Sequence, residues 1–296
     1  MNALRLLRPL LSGIALLSMA SQVLAAEPLA LEVYNPGAKS IFPVSTQIVS
    51  GPTEAVLIDA QFQRDDAQAL VEKVRATGKK LTTVYISHSD PDYYFGLDVI
   101  HRAFPEAKIV ATAETVAAIE ASKDGKLAHW GAIMEGNAPE ALVVPKALKE
   151  PKLTVDGQVL EIHGPEPART FLWIPSLRTV VGGIPVSANI HVWMADTQTE
   201  QSRRDWLATL AAIDALNPSR VVPGHYLPNA DGSLPDSPQT VAATREYLQA
   251  FELEAGKAKD SAQLIAAMRK HYPSLADEAS LELGARVIKG EVKWPQ

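Results

Sequence analysis

Two short runs with no charged side chain constrain this chain most: Ala55-Val56-Leu57-Ile58, closed by Asp59, and Val84-Tyr85-Ile86, closed by Ser87 and His88. Continuous apolar runs of this length fit strands covered on both faces, which lie inside a layered α/β protein. Between the two runs, Leu70, Val71 and Val74 share one face of a helix among charged neighbours. Upstream, residues 30–34 and 46–49 read as strands set off by the turn signals Asn35-Pro36-Gly37 and Gly51-Pro52-Thr53. Downstream the alternation continues, with a helix over 97–104 ended by Pro105, a strand over 108–111 and a helix over 114–121.

The second half returns to strands at 153–162, 170–174 and 179–181. A helix follows with Trp206, Leu207, Leu210, Ile213 and Leu216 on its apolar face, stopping before Pro218. Val221-Val222 is one more strand, and residues 238–288 read as helical with a break at Tyr272-Pro273. No internal repeat appears. The pattern predicts two βα halves packed face to face over 27–235, with a helical extension, 236–296, packed on the same domain.

The N-terminus sets the expected compartment. Arg5 and Arg8 precede an apolar stretch from Pro9 to Ala20, and Val23-Leu24-Ala25 ends in small residues, so residues 1–25 have the form of a secretory signal. The apolar stretch is shorter than the ~20 residues of a membrane span and contains Ser12, Gly13 and Ser18. The mature chain is therefore expected in the periplasm or medium, off the membrane. Cysteine is absent, which excludes disulfides, thiolate metal sites and a cysteine nucleophile. The net charge of −6 becomes −8 once Arg5 and Arg8 are removed. With no basic run to offset it, that charge opposes nucleic acid as a partner and leaves a small molecule as the expected one.

Chemistry concentrates in Ile86-Ser87-His88-Ser89-Asp90-Pro91-Asp92-Tyr93-Tyr94-Phe95-Gly96. A histidine and two carboxylates alternate just past a buried strand, with a phenol beside them. Imidazole and carboxylate are good ligands for zinc, manganese or iron, and carboxylates two residues apart repel unless a cation or hydrogen bonds compensate. The same residues also suit a capped turn that needs no metal, since Ser-Asp-Pro-Asp is ordinary turn chemistry. Spacing alone leaves both readings open.

The segment resembles the signature of the metallo-β-lactamase superfamily, a buried strand followed by His-x-His-x-Asp-His and a glycine, here His88-Ser89-Asp90-Pro91-Asp92-Tyr93 with Gly96 beyond. Leu57-Ile58-Asp59 is similar to the family's upstream strand, whose aspartate braces the metal loop. Val221-Val222-Pro223-Gly224-His225 is similar to the late strand and Gly-His that supply the last ligand. The strand pair Phe171-Leu172-Trp173-Ile174-Pro175 and Thr179-Val180-Val181-Gly182-Gly183 resembles the pair that usually ends in a metal-bridging aspartate. The resemblance implies an αββα sandwich with C-terminal helices.

Departures are equally informative. His88, Asp92 and His225 keep the family's residues, but Asp90 and Tyr93 stand where histidines are expected. No histidine precedes the Thr170 strand in Glu166-Pro167-Ala168-Arg169, and Gly182 or Gly183 replaces the bridging aspartate. The resemblance then implies at most one divalent metal, zinc first, with iron or manganese favoured by the added carboxylate, held by His88, Asp90 and His225. Asp92 would orient and deprotonate a water, Tyr93 would bond a developing oxyanion, and Asp59 would brace the loop. The implied activity is hydrolysis of an ester, lactone or amide. The lost ligands support the other reading, a ligand-binding or sensing protein without metal. His191 and Trp193 lie near the expected mouth of the site, where a loop anchored by a buried Trp is favoured over contact with substrate, and Arg169 suits a salt bridge before a substrate carboxylate.

Overall fold

A computed structural model describes residues 27–294, so the expected signal segment lies outside the described residues. Strands β1 (Ala30–Tyr34), β2 (Thr46–Ser50) and β3 (Glu54–Ile58) are antiparallel neighbours. Helix α1 (Arg64–Ala76) returns the chain to β4 (Lys80–Tyr85), parallel to β3. The short α2 (Pro91–Tyr94) and α3 (Leu97–Ala103) lead to β5 (Lys108–Ala111), and α4 (Ala113–Met134) leads to β6 (Lys146–Ala147). These strands form one sheet in the order β1-β2-β3-β4-β5-β6.

A second sheet is built from β7 (Lys152–Val155), β8 (Gln158–His163), β9 (Phe171–Ile174) and β10 (Thr179–Val181). After β11 (Ser187–Ala188) and α5 (Glu200–Ala215), β12 (Arg220–Val221) joins its edge, giving the order β12-β10-β9-β8-β7. Strand β13 (His225–Tyr226) pairs with β11, and α6 (Gln239–Lys257), α7 (Ser261–His271) and α8 (Glu278–Ile288) follow.

Side-chain alternation along the strands makes four layers. Val56 and Ile58 pack with Tyr85, Leu172, Ile174 and Val181 between the sheets. Ala55 and Leu57 face the other way, against Leu70 and Val74 of α1 and Ile100 of α3. Phe171, Trp173 and Val180 meet Trp206 and Leu210 of α5, Leu248 of α6 and Leu281 of α8. This is the expected αββα sandwich, and the C-terminal helices complete its outer layer.

Three elements differ from their sequence-based limits. The helix expected over 114–121 runs on to Met134; only Thr115, Ile119 and Met134 of it are buried, so its second half shows no apolar stripe. The strand expected over 153–162 is a hairpin turning at Asp156 and Gly157, with φ of 46° and 78°. The terminal helical stretch breaks before Ser261 as well as at Tyr272-Pro273, because Asp260 caps α7 by accepting the Gln263 amide.

Candidate functional site

Four segments converge at the ends of β3, β4, β10 and β12. Asp59, fully buried, accepts the Ser87 amide at 2.8 Å and the Ser87 hydroxyl at 2.9 and 2.8 Å on its two oxygens. That fixes the loop carrying His88, which also bridges to Arg169, while the Thr170 amide donates to the Ser87 carbonyl. Gly224 brings His225 in: a Cβ there would lie 1.7 Å from the Gly183 carbonyl oxygen, so only glycine lets the two segments approach. His225 thereby reaches the residues of α2.

Asp92, Tyr93 and His225 form one hydrogen-bonded unit. His225 Nε2 lies 2.7 Å from Asp92 Oδ2, and its Nδ1 lies 2.9 Å from the Tyr93 hydroxyl. Burial, then the charges of Asp92, Asp59 and Asp90, push the Tyr93 pKa well up. Its O–H therefore donates to Nδ1, and Nε2–H donates to Asp92. Asp90 points elsewhere, to Lys126 of α4 at 3.7 Å, and Lys126 also donates to the Ser89 carbonyl at 2.8 Å. Burial opposes ionisation of Asp90, but the charges of Lys126 and Arg169 outweigh it and hold its pKa below the usual range. The mutual repulsion of the two carboxylates is thus relieved by a lysine and a histidine.

His88 is fully buried, and burial followed by the Arg169 charge lowers its pKa to about 3. It is neutral. Its Nδ1 shares a 2.9 Å hydrogen bond with the Ser87 hydroxyl, and its Nε2 has no partner. Arg169 lies with its guanidinium 5.1 Å from the centroid of Trp206, and its Nη2 is buried without a hydrogen-bond partner. Its positive charge acts on His88, Asp90, Tyr93 and Asp196 alike.

The family model of the metallo-beta-lactamase superfamily matches residues 41–225. The chain belongs to this superfamily. A metallo-beta-lactamase family protein from Thermus thermophilus superposes with a TM-score of 0.62 at 15% identity, covering 88% of this chain and 93% of that one. A metallo-beta-lactamase from Pontibacter korlensis gives 0.52 at 18% identity, covering 76% and 96%. Both likenesses concern the fold. The uncharacterized protein YobT of Bacillus subtilis (strain 168) is 30% identical over 71 residues, 24% of this chain and 30% of that protein's length.

Superfamily members are commonly metal-dependent hydrolases, which hold the ion with several convergent side chains. As the side chains stand, the donor set does not fit. Among the described residues no three His, Asp or Glu side chains converge where they could hold one ion. Of the expected set His88, Asp90 and His225, His225 uses both ring nitrogens internally, Asp90 faces Lys126, and only His88 keeps a free nitrogen. Nor is there space for the bridging aspartate at Gly183, one of its two expected positions: a Cβ there would meet His88 Cε1 at 2.1 Å and Nδ1 at 2.4 Å. The His88 ring fills the place where that side chain would begin.

Above this network lies a cavity of about 310 Å³, lined by Asp90, Asp92 and His225 together with Lys126, Trp130, Trp193, Asp196 and Trp294. His191, singled out from the sequence, also lines it and bonds Tyr247 through Nδ1 at 3.0 Å. His88 and Tyr93 are buried beneath the floor. The residues that sequence reasoning missed are Phe42, Asp196, Trp294 and the α4 pair Lys126 and Trp130, drawn from four segments distant in sequence. The length of α4 was the one available signal, since it carries Lys126 and Trp130.

Replacing His225 by alanine strands the Asp92 carboxylate and the buried Tyr93 hydroxyl together. The expected cost is about 3 kcal/mol in urea unfolding. A loss under ~0.5 kcal/mol would show that the three side chains do not act as a unit.

Proposed function

We propose that this chain is a small-molecule-binding member of the superfamily in which protein charges have replaced the metal centre. One observation carries the reading: both ring nitrogens of His225 are hydrogen-bonded to Asp92 and Tyr93, side chains at the positions of metal ligands in the family pattern. The charge of Arg169 acts on His88 and Asp90, supplying positive charge without an ion. The cavity above is large enough for a small organic ligand. Among the described residues no serine or threonine hydroxyl is hydrogen-bonded to His225, and the Ser87 hydroxyl, which shares a hydrogen bond with His88, is fully buried and donates to Asp59. The basic, apolar and small-residue pattern of residues 1–25 supports an exported protein.

A second reading, hydrolysis of an ester, lactone or amide with one divalent metal, is favoured by the unpartnered Nε2 of His88. Elemental analysis of the purified protein beside the His88→Ala/His225→Ala double variant separates the two. The binding reading expects no stoichiometric zinc, iron or manganese in either protein, before or after metal is offered. About one equivalent in the native chain, absent from the variant, would overturn it in favour of the hydrolase.

A further inference from the structure

The cavity has a second feature that the rewritten metal site does not explain. Phe42, Trp130, Trp294 and Trp193 follow one another around it as a closed circuit of rings. Centroids of successive rings are 5.2, 6.4, 5.6 and 5.7 Å apart, and successive planes meet at 77°, 65°, 72° and 80°. Neighbouring walls of a box stand near perpendicular in this way. All four rings are only partly buried and line the cavity.

Asp196 holds two of the walls in place. The Trp294 indole N–H donates to its Oδ1 at 2.7 Å, and the Trp193 indole N–H donates to its Oδ2. One carboxylate therefore takes up the polar edges of two rings that line the cavity. Carboxylates outnumber cations around the cavity, with the Arg169 charge also reaching Asp90 and Asp196. Asp90, Asp92, Asp196 and Asp277 line the cavity, while Lys126 is the one lysine or arginine among the described lining residues and is already beside Asp90.

Electron-rich faces enclosing a space with surplus carboxylates attract an organic cation and repel an anion. We propose that the cavity binds a small organic ammonium compound, its alkylated nitrogen held among Phe42, Trp130, Trp193 and Trp294. The proposal rests on the reading of this chain as a metal-free binding protein and names its ligand class. Asp196 acts as a positioning residue, orienting Trp193 and Trp294 through their indole nitrogens. A simple neutral apolar ligand would fill the same volume, but it would gain nothing from the acidic surround.

Calorimetric titration of the full chain with choline tests this directly, run beside the uncharged isostere in which a tert-butyl group replaces the trimethylammonium, and beside acetate. Choline is expected to bind about tenfold more tightly than the isostere, with acetate not binding. Trp193→Leu and Trp294→Leu keep apolar bulk and should each weaken choline at least about fivefold, with little change for the isostere. Asp196→Asn, the mildest of the set, should weaken choline and keep the fold, checked by its melting transition. Equal affinity for choline and isostere, or no saturable choline binding by a folded protein, would overturn the ammonium assignment. That result leaves metal-free binding standing, since the binding reading falls separately on stoichiometric metal.

Discussion

Gly183→Asp, which restores an acid at a position where the superfamily's metal-bridging aspartate is expected, should be among the most damaging single substitutions in this protein. Gly183 has a φ of +69°, a conformation that L side chains rarely adopt, and its added Cβ would lie 2.1 Å from His88 Cε1 and 2.8 Å from the Thr170 carbonyl oxygen. Left-handed strain at a non-glycine residue costs about 1–3 kcal/mol, and overpacking of a rigid interior adds a similar amount. The expected loss is about 4 kcal/mol, or a melting point lower by roughly 8–16 °C for a domain of this size. The His88→Ala/Gly183→Asp pair should recover part of the loss, because the ring contact vanishes while the backbone strain and the Thr170 contact stay. A melting point for Gly183→Asp within ~2 °C of the parent would show that His88 yields freely and that the ligand position is still open.

A fall in stability between about pH 4 and pH 7, flattened by Asp59→Asn, is the second large expected effect. Burial raises the Asp59 pKa from 3.8 to about 7, against the hydrogen bonds from Ser87 and Gly183 that favour the anion. The folded state thus keeps its proton where the unfolded chain has already lost it. The resulting stability is fully present below pH 3.8 and is lost as pH rises to about 7. A displacement of this size corresponds to on the order of 4 kcal/mol, seen against the titration of all other groups. Asparagine stays neutral and can donate to the Ser87 hydroxyl in place of a carboxylic acid. Chemical denaturation across this range should therefore give a steeper decline for the native chain than for the variant. Parallel curves would mean that Asp59 is ionised throughout.

The two effects share one structural cause. Asp59, Ser87, His88 and Gly183 are stacked without intervening solvent, so a side chain added at Gly183 displaces His88 and a charge on Asp59 has no water to stabilise it. The site's rigidity follows from the same contacts. The Asp92-His225-Tyr93 unit and the Asp90-Lys126 pair each give a carboxylate a partner within the protein.

Much of the fold was legible before any coordinates. The runs at Ala55-Ile58 and Val84-Ile86 are central strands because they have no solvent-tolerant face, and Pro105, Pro218 and Pro273 fall beyond helix ends where proline's missing N–H is harmless. Boundaries failed where burial was partial. Helix α4 outran its expected end because its second half lies half in solvent and needs no apolar stripe. The positions of His88, Asp92, Tyr93 and His225 in one cluster followed from the order of family landmarks along the chain.

What the sequence alone determined was the layered α/β architecture and the identity of the residues at the strand ends, because both depend on local patterns of polarity and on short motifs. Which way those residues point was decided by the tertiary structure. His225 could have offered a nitrogen to an ion, but at 2.7 Å from Asp92 and 2.9 Å from the Tyr93 hydroxyl it spends both on its neighbours. Phe42, Trp130, Trp193 and Trp294 surround one cavity only after four distant segments have packed. Hydrogen-bond partners and enclosed space arise between segments, and no pattern within any one of them carries that information.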